Sequence, residues 1–115
     1  MAKFLEKGDI ILLSNSPKPD NNNEQKGTRP WLVMSLGALN QVSPFVWAVP
    51  FTTAPRKYPL VIDWSQLHTS SKTTGTLLTD QLTCLDVQHR SYRFLEHVDV
   101  PSEVDDVVFS ILGAK

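Results

Sequence analysis

EQKGTRPWLVMSL (residues 24–36) changes character in its middle. Its polar half closes a longer stretch, NSPKPDNNNEQKGT (residues 15–28), in which Pro17 and Pro19 lack amide donors, three consecutive Asn tolerate turn geometry, and Gly27 can take positive φ. That half is a loop. From Arg29 onward, Trp31, Leu32, Val33 and Met34 make an apolar run that reads as a strand over residues 29–36. The arginine therefore stands where a loop enters a sheet, with Gly27 permitting close approach and Pro30 fixing φ. On residue types alone, it is either a solvated surface side chain or a contact for an anion.

Working outward, residues 10–13 form a short apolar run after Gly8-Asp9 and predict a buried strand. Residues 37–43 read as a turn. PFVWAVPFT (44–52) is β-branched and aromatic, a third strand, and Pro50 implies that it ends, bulges or lies at an edge there. Residues 60–64 give a fourth strand and 65–74, SQLHTSSKTT, a polar loop. Residues 75–80 and 93–98 are the remaining strands, with 81–92 left open. The period then changes: Val104, Val107, Val108, Ile111 and Leu112 fall on one helical stripe. Ser102 is the expected N-cap, acidic residues follow it where the helix dipole favours them, and Gly113 supplies the stop. About six short strands and one helix make a small curved sheet or barrel of the α+β class, in a single domain over 1–115.

Composition narrows the function classes. The 115 residues are 41% hydrophobic and 20% charged, enough for one core and incompatible with wholesale disorder. A single cysteine excludes an internal disulfide; with no CxxC partner, Cys84 reads as a small buried or half-buried thiol. His68, His89 and His97 show no metal-binding spacing, and no GxxxxGKS, GxGxxG or GxSxG motif is present, so neither a metal nor a cofactor is expected. No apolar run spans a membrane, and the N-terminus lacks a signal-peptide apolar region, so a cytoplasmic protein is expected. The tryptophans Trp31, Trp47 and Trp64 lie in strand-like segments and are assigned to core or interface packing rather than base stacking. The formal net charge is −1, but residues 1–60 hold seven Lys/Arg against four acids, +3, and residues 61–115 hold four against eight, −4. An anionic ligand meeting Lys26, Arg29, Arg56 and Lys57 is one reading of that asymmetry; scattered, solvated charge is the other.

The ordered blocks Gly8-Asp9-Ile10, Glu24-Gln25-x-Gly27-x-Arg29-Pro30, Pro50-x-Thr52, and Asp80-Gln81 followed by Leu85-Asp86 and Arg90 resemble the MazF/PemK family. These are toxins of type II toxin–antitoxin pairs and sequence-specific, metal-independent endoribonucleases. The blocks run over residues 8–98, and the C-terminal helix also fits. The resemblance implies a small SH3-like β-barrel of the CcdB/MazF kind. It implies catalytic roles for Arg29 and Thr52, with Thr53 the alternative hydroxyl and Glu24 a candidate base. It implies RNA contacts from Gln25, Lys26, Thr28, Thr53, Arg56 and Gln81, and a supporting role for Asp80 and Gln81. It also implies single-stranded RNA as substrate, a homodimer, and a MazE/PemI-like antitoxin as partner. Two stretches depart from the family: residues 17–23 lack the glycine that commonly precedes the Glu-Gln pair, and 65–74 are longer than in many relatives. Both bear on which RNA sequence is chosen.

Arginine suits such chemistry. Its planar, permanently charged fork matches phosphate oxygens and makes it a poor proton shuttle near neutrality, so its role is mainly electrostatic, with proton donation only in an unusual environment. Two other classes fit the same elements: a non-catalytic, CcdB-like gyrase poison, and a plain RNA- or peptide-binding β-barrel module.

Overall fold

The structure is a computed structural model, and it describes residues 4–14, 28–54 and 58–113. Seven strands form one antiparallel system: β1 (Asp9–Ser14), β2 (Thr28–Val33), β3 (Phe45–Thr52), β4 (Val61–Asp63), β5 (Thr76–Leu78), β6 (Thr83–Asp86) and β7 (Tyr92–His97). Three helices accompany them: α1 (Gly37–Val42), α2 (Trp64–Leu67) and α3 (Ser102–Leu112). Strand order is β4-β5-β3-β2-β1-β7, with β6 also on β3. The α+β class and the curved sheet with its terminal helix are as expected; among the described pairings the sheet does not close, so the barrel is an open one.

Both faces of the sheet are covered. Successive residues go to opposite sides, as the two-residue strand period requires. Ile10, Leu32 and Val49 join Phe51, Trp64, Leu77, Val104 and Val108 in one cluster. Their neighbours Ile11, Val33 and Ala48 join Leu13, Val46 and Leu85 in another. This is why the strands read as continuous apolar runs rather than alternating ones. Helix α3 seals the first cluster with Val104 and Val108, worth about 1.5–3 kcal/mol for each valine fully buried.

β3 is the hub. One edge pairs with β2, and the other changes partner along its length. Phe45 to Ala48 face β6, with Ala48 opposite Thr83, whereas Phe51 and Thr52 face β5, with Phe51 opposite Leu77. Between those pairs, Val49 and Pro50 stand against residues 78–82, which loop out through a 3-10 turn at Thr79–Gln81. Pro50 has no N–H to give, and it sits in this gap. The strand therefore neither ends nor lies at an edge at Pro50; it exchanges one neighbour for another.

Several local expectations are corrected. Residues 37–43 hold helix α1 rather than a turn, anchored by Asn40, whose Nδ2 donates to the Leu5 carbonyl at 2.7 Å and whose Oδ1 accepts from Ser35 Oγ at 2.7 Å. The fourth strand stops at Asp63, because Trp64 starts α2; the Asp63 carboxylate caps it by accepting from Gln66 N–H at 3.3 Å. Trp64 is fully buried, edge-on to Phe51 with ring centroids 5.5 Å apart. Pro101, not Ser102, is the N-cap of α3 and makes no side-chain cap; Gly113 closes the helix in the left-handed region, as expected. Cys84 is exposed rather than buried. The segment 81–92 contains β6. Loop residues 15–27 lie outside the described residues.

The Gly8-Asp9 pair proves structural. Gly8 has φ +102°, and a Cβ there would meet the Val98 carbonyl at 2.2 Å. Asp9 accepts from Glu6 N–H at 2.8 Å and pairs with His97 Nδ1 at 2.7 Å, tying the start of β1 to the end of β7.

Candidate active site

β2 and β3 pair through Trp31 opposite Pro50 and Leu32 opposite Val49. Continued by two residues, that register sets Arg29 across from Thr52. Both line a cleft of about 530 Å³, with Pro30, Phe51 and Thr53 on the same side and the segment Lys72 to Thr74, Leu95 and Glu96 completing it. Arg29 and Thr52 are half-buried, whereas Thr53 and Lys72 are exposed. Pro30 and Pro50 deprive the two strands of amide donors just where they part, leaving room between side chains that a closed ladder would draw together.

Thr52 is held from its other side too. It pairs with Thr76 on β5, and Gly75, at φ +113°, approaches so closely that a Cβ would lie 2.6 Å from the Thr52 carbonyl oxygen. The Thr52 hydroxyl oxygen accepts from Ala54 N–H at 3.1 Å, leaving its own O–H to donate into the cleft. The guanidinium of Arg29 forms no side-chain hydrogen bond or ion pair with any described residue.

Among the described residues, the cleft holds one carboxylate, that of Glu96. It accepts from Ser71 Oγ at 2.6 Å, Thr73 Oγ1 at 2.7 Å, Thr73 N–H at 3.0 Å and Lys72 N–H at 3.1 Å. Burial works to raise its pKa, and these hydrogen bonds outweigh it, so the carboxyl sits below its ordinary range. It is ionised and fully engaged. No group of three or more His, Cys, Asp or Glu able to hold a metal occurs among the described residues. No helix among them is long and apolar enough to cross a membrane.

Of the residues singled out in the sequence, Arg29, Thr52 and Thr53 thus share one cleft. Gln81 does not line it: it is exposed on the 3-10 turn beyond β5. Asp80, beside it, accepts the Tyr58 hydroxyl on both oxygens, at 3.2 and 3.1 Å. Glu24, Gln25, Lys26, Arg56 and Lys57 lie outside the described residues, and of Thr28 only the backbone, at the start of β2, is described. The residues that sequence reading missed are Lys72, Thr73, Thr74, Leu95 and Glu96. The run SSKTT offered the only signal, a dense set of hydroxyls; nothing local linked it to an acid 23 residues further on.

An antiparallel sheet with three helices and an arginine–threonine cleft at a strand junction defines a small α+β domain. The comparisons narrow this. Residues 6–109 match the family described as PemK-like, MazF-like toxin of type II toxin-antitoxin system, and the chain belongs to that family. It is 30% identical over 99 residues to Endoribonuclease PemK of Escherichia coli, spanning 82% of this chain and 70% of that one. Among solved structures, MazF from Deinococcus radiodurans is 28% identical with a TM-score of 0.75, covering 97% of this chain and all but 1% of its own (99%). A chain of the MazE–MazF crystal structure from the same organism is 25% identical with a TM-score of 0.78, covering 99% and 100%.

Proposed function

We propose that this protein is a toxin endoribonuclease that cuts single-stranded RNA at chosen sequences without a metal. The observation that carries the reading is the shared cleft of Arg29 and Thr52 in a chain of this family. RNA brings its own nucleophile. The 2′-OH attacks the adjacent phosphorus, a P–O2′ bond forms and the P–O5′ bond breaks. The 2′ proton leaves, the departing 5′ oxygen gains one, and the products are a 2′,3′-cyclic phosphate and a 5′-OH.

In this reading Arg29 offers paired N–H donors to the non-bridging oxygens, where charge grows as phosphorus becomes five-coordinate. That fixed positive charge does what a divalent cation does in metal-dependent nucleases. Thr52 donates its O–H to a phosphate oxygen. Glu24 is the candidate base. Glu96 is unsuited to that role, since hydroxyls and amides occupy its oxygens.

We also propose a homodimer and an antitoxin partner with an acidic segment that competes for the RNA groove. Charge supports the second, through the +3 balance of residues 1–60. Exposed apolar side chains support protein contacts: Leu39, Val42, Phe45 and Trp47 around α1 and β3, and Phe109 and Leu112 on α3.

The test is incubation of purified protein with a pool of single-stranded RNA in EDTA. Discrete cuts ending in 2′,3′-cyclic phosphate and 5′-OH are expected. Retarded but intact RNA would make this a binding module, and inhibited gyrase without any RNA effect would make it a CcdB-like poison.

A further inference from the structure

The Lys72–Thr74 wall of the cleft is built on the carboxylate of Glu96. Glu96 lies on β7 opposite Ile10, but the next pair is Ile11 with Phe94, so Leu95 is an extra residue on β7. A bulge of this kind breaks the alternation of side chains and re-aims them. Here both Leu95 and Glu96 line the cleft instead of pointing to opposite faces. Thr73 itself is buried, while Lys72 and Thr74, on either side of it, are exposed at the cleft. Lys72 forms no ion pair with any described residue, Glu96 included.

We infer that Lys72 is a second phosphate contact for the RNA and that Glu96 is the positioning residue that holds it there. The inference rests on the nuclease reading of the cleft given above. Arg29 and Thr52 occupy one wall, on β2 and β3; Lys72 occupies another, formed by residues 72–74. A strand of RNA crossing the cleft meets Arg29 at the reacting phosphate and an ammonium at a neighbouring one. Lysine suits the second position: it is a point charge that binds phosphate without demanding one geometry. Glu96 does not touch RNA in this scheme. It collects two hydroxyls and two backbone amides of consecutive residues, which fixes the backbone on both sides of the Lys72 side chain. A carboxylate bound by these donors organises a loop much as an anion organises a backbone nest.

The experiment uses the full chain and an RNA carrying a mapped cut site, with 2′-deoxyribose on the 5′ side of the scissile phosphate so that it binds without being cut. Lys72→Ala should weaken binding about fivefold at 0.1 M salt and lower the slope of log K against log[salt] by about 0.7, the value for one contact to a single strand. Glu96→Gln keeps the side-chain shape but presents N–H groups to a set of donors. It should weaken binding to a similar extent, with the same loss of slope, and lower the saturated cleavage rate by no more than about threefold. The two changes should not add: in the double variant, Glu96→Gln costs little once Lys72 is gone, which a general loosening of the fold would not produce. If Glu96→Gln does not fold, Thr73→Val, which removes one hydroxyl donor, carries the same comparison. Wild-type affinity and slope in Lys72→Ala would overturn the inference. So would full additivity, or a Glu96→Gln variant that binds normally yet cleaves a hundredfold slower at saturation. Wild-type protein that cuts no RNA would defeat the nuclease reading and this inference with it; wild-type protein that cuts, with any of those variant results, defeats this inference alone.

Discussion

Arg29 and Thr52 line one cleft at the place where β2 and β3 part, each two residues beyond the last pair, Trp31 with Pro50. Each is held by its strand and by a proline beside or near it, so the two side chains reach the cleft from a rigid frame. Arg29→Ala should lower single-turnover cleavage at saturating RNA by about 10²–10³, the usual loss for one donor aimed at transition-state charge. Affinity for RNA should fall far less. Arg29→Lys should restore only part of the rate, because an ammonium cannot present the fork. Wild-type cleavage by Arg29→Ala at saturation would reduce Arg29 to a binding residue.

Thr52→Val keeps the β-branched shape and removes the hydroxyl. The variant should fold with an unchanged circular-dichroism spectrum and cleave at least tenfold slower. It also leaves Ala54 N–H without its acceptor, an exposed group that water can serve, so a loss of about 0.5–1 kcal/mol in a urea melt is the most expected. Full activity would move the hydroxyl role to Thr53.

Gly75 links the backbone to the site. Gly75→Ala forces a Cβ to 2.6 Å from the Thr52 carbonyl at a φ of +113°, so β3 and β5 must separate locally. Stability should fall by about 1–3 kcal/mol and cleavage with it. Gly113→Ala is the control: its φ is also positive, +81°, but nothing lies within 4 Å. It should cost about 1 kcal/mol with cleavage unaffected. Urea denaturation and single-turnover cleavage measure both.

The pKa of Glu96 is lowered from its reference value of 4.5 by hydrogen bonds that outweigh burial. A folded-state pKa below the unfolded one adds stability that is complete above about pH 4.5 and is lost as pH falls through the folded value. Wild-type stability should therefore drop as pH falls below about 4.5. Glu96→Gln should be less stable at pH 7, and its acid-side slope should be shallower. Parallel slopes in urea melts across that range would show that the loop hydrogen bonds contribute nothing.

What the sequence made legible follows from the range of the forces involved. Strands β1, β2 and β3 were visible because their apolar runs, IILL, WLV and FVWAV, are uninterrupted; burial on both faces of the sheet accounts for most of these residues, while Phe45 and Trp47 are exposed. Helix α3 was visible because its stripe is periodic. Helix α1 was not, since GALNQV owes its shape to a buried Asn40 reaching the Leu5 carbonyl, a contact spanning 35 residues. Trp64 looked like the end of a strand because its burial under Phe51 is a tertiary fact. The site divides along the same line. Arg29 and Thr52 sit on strands and belong to motifs; Lys72 and Glu96 belong together only through a bulge in β7 and a loop 23 residues earlier.

The place of β1 in the sheet has a consequence for the protein's birth. β1 lies between β2 and β7, and Asp9 pairs with His97, 88 residues downstream. During synthesis, at about 5–20 residues per second, the first strand must wait several seconds for its outer neighbour to leave the ribosome. Glu96 emerges in that same late segment, so the wall carrying Lys72 takes its final form only then. A nascent chain still attached to its message thus lacks part of the cleft that Arg29, Thr52 and Lys72 line. An endoribonuclease of this family is in this way kept incomplete while its own message is being read.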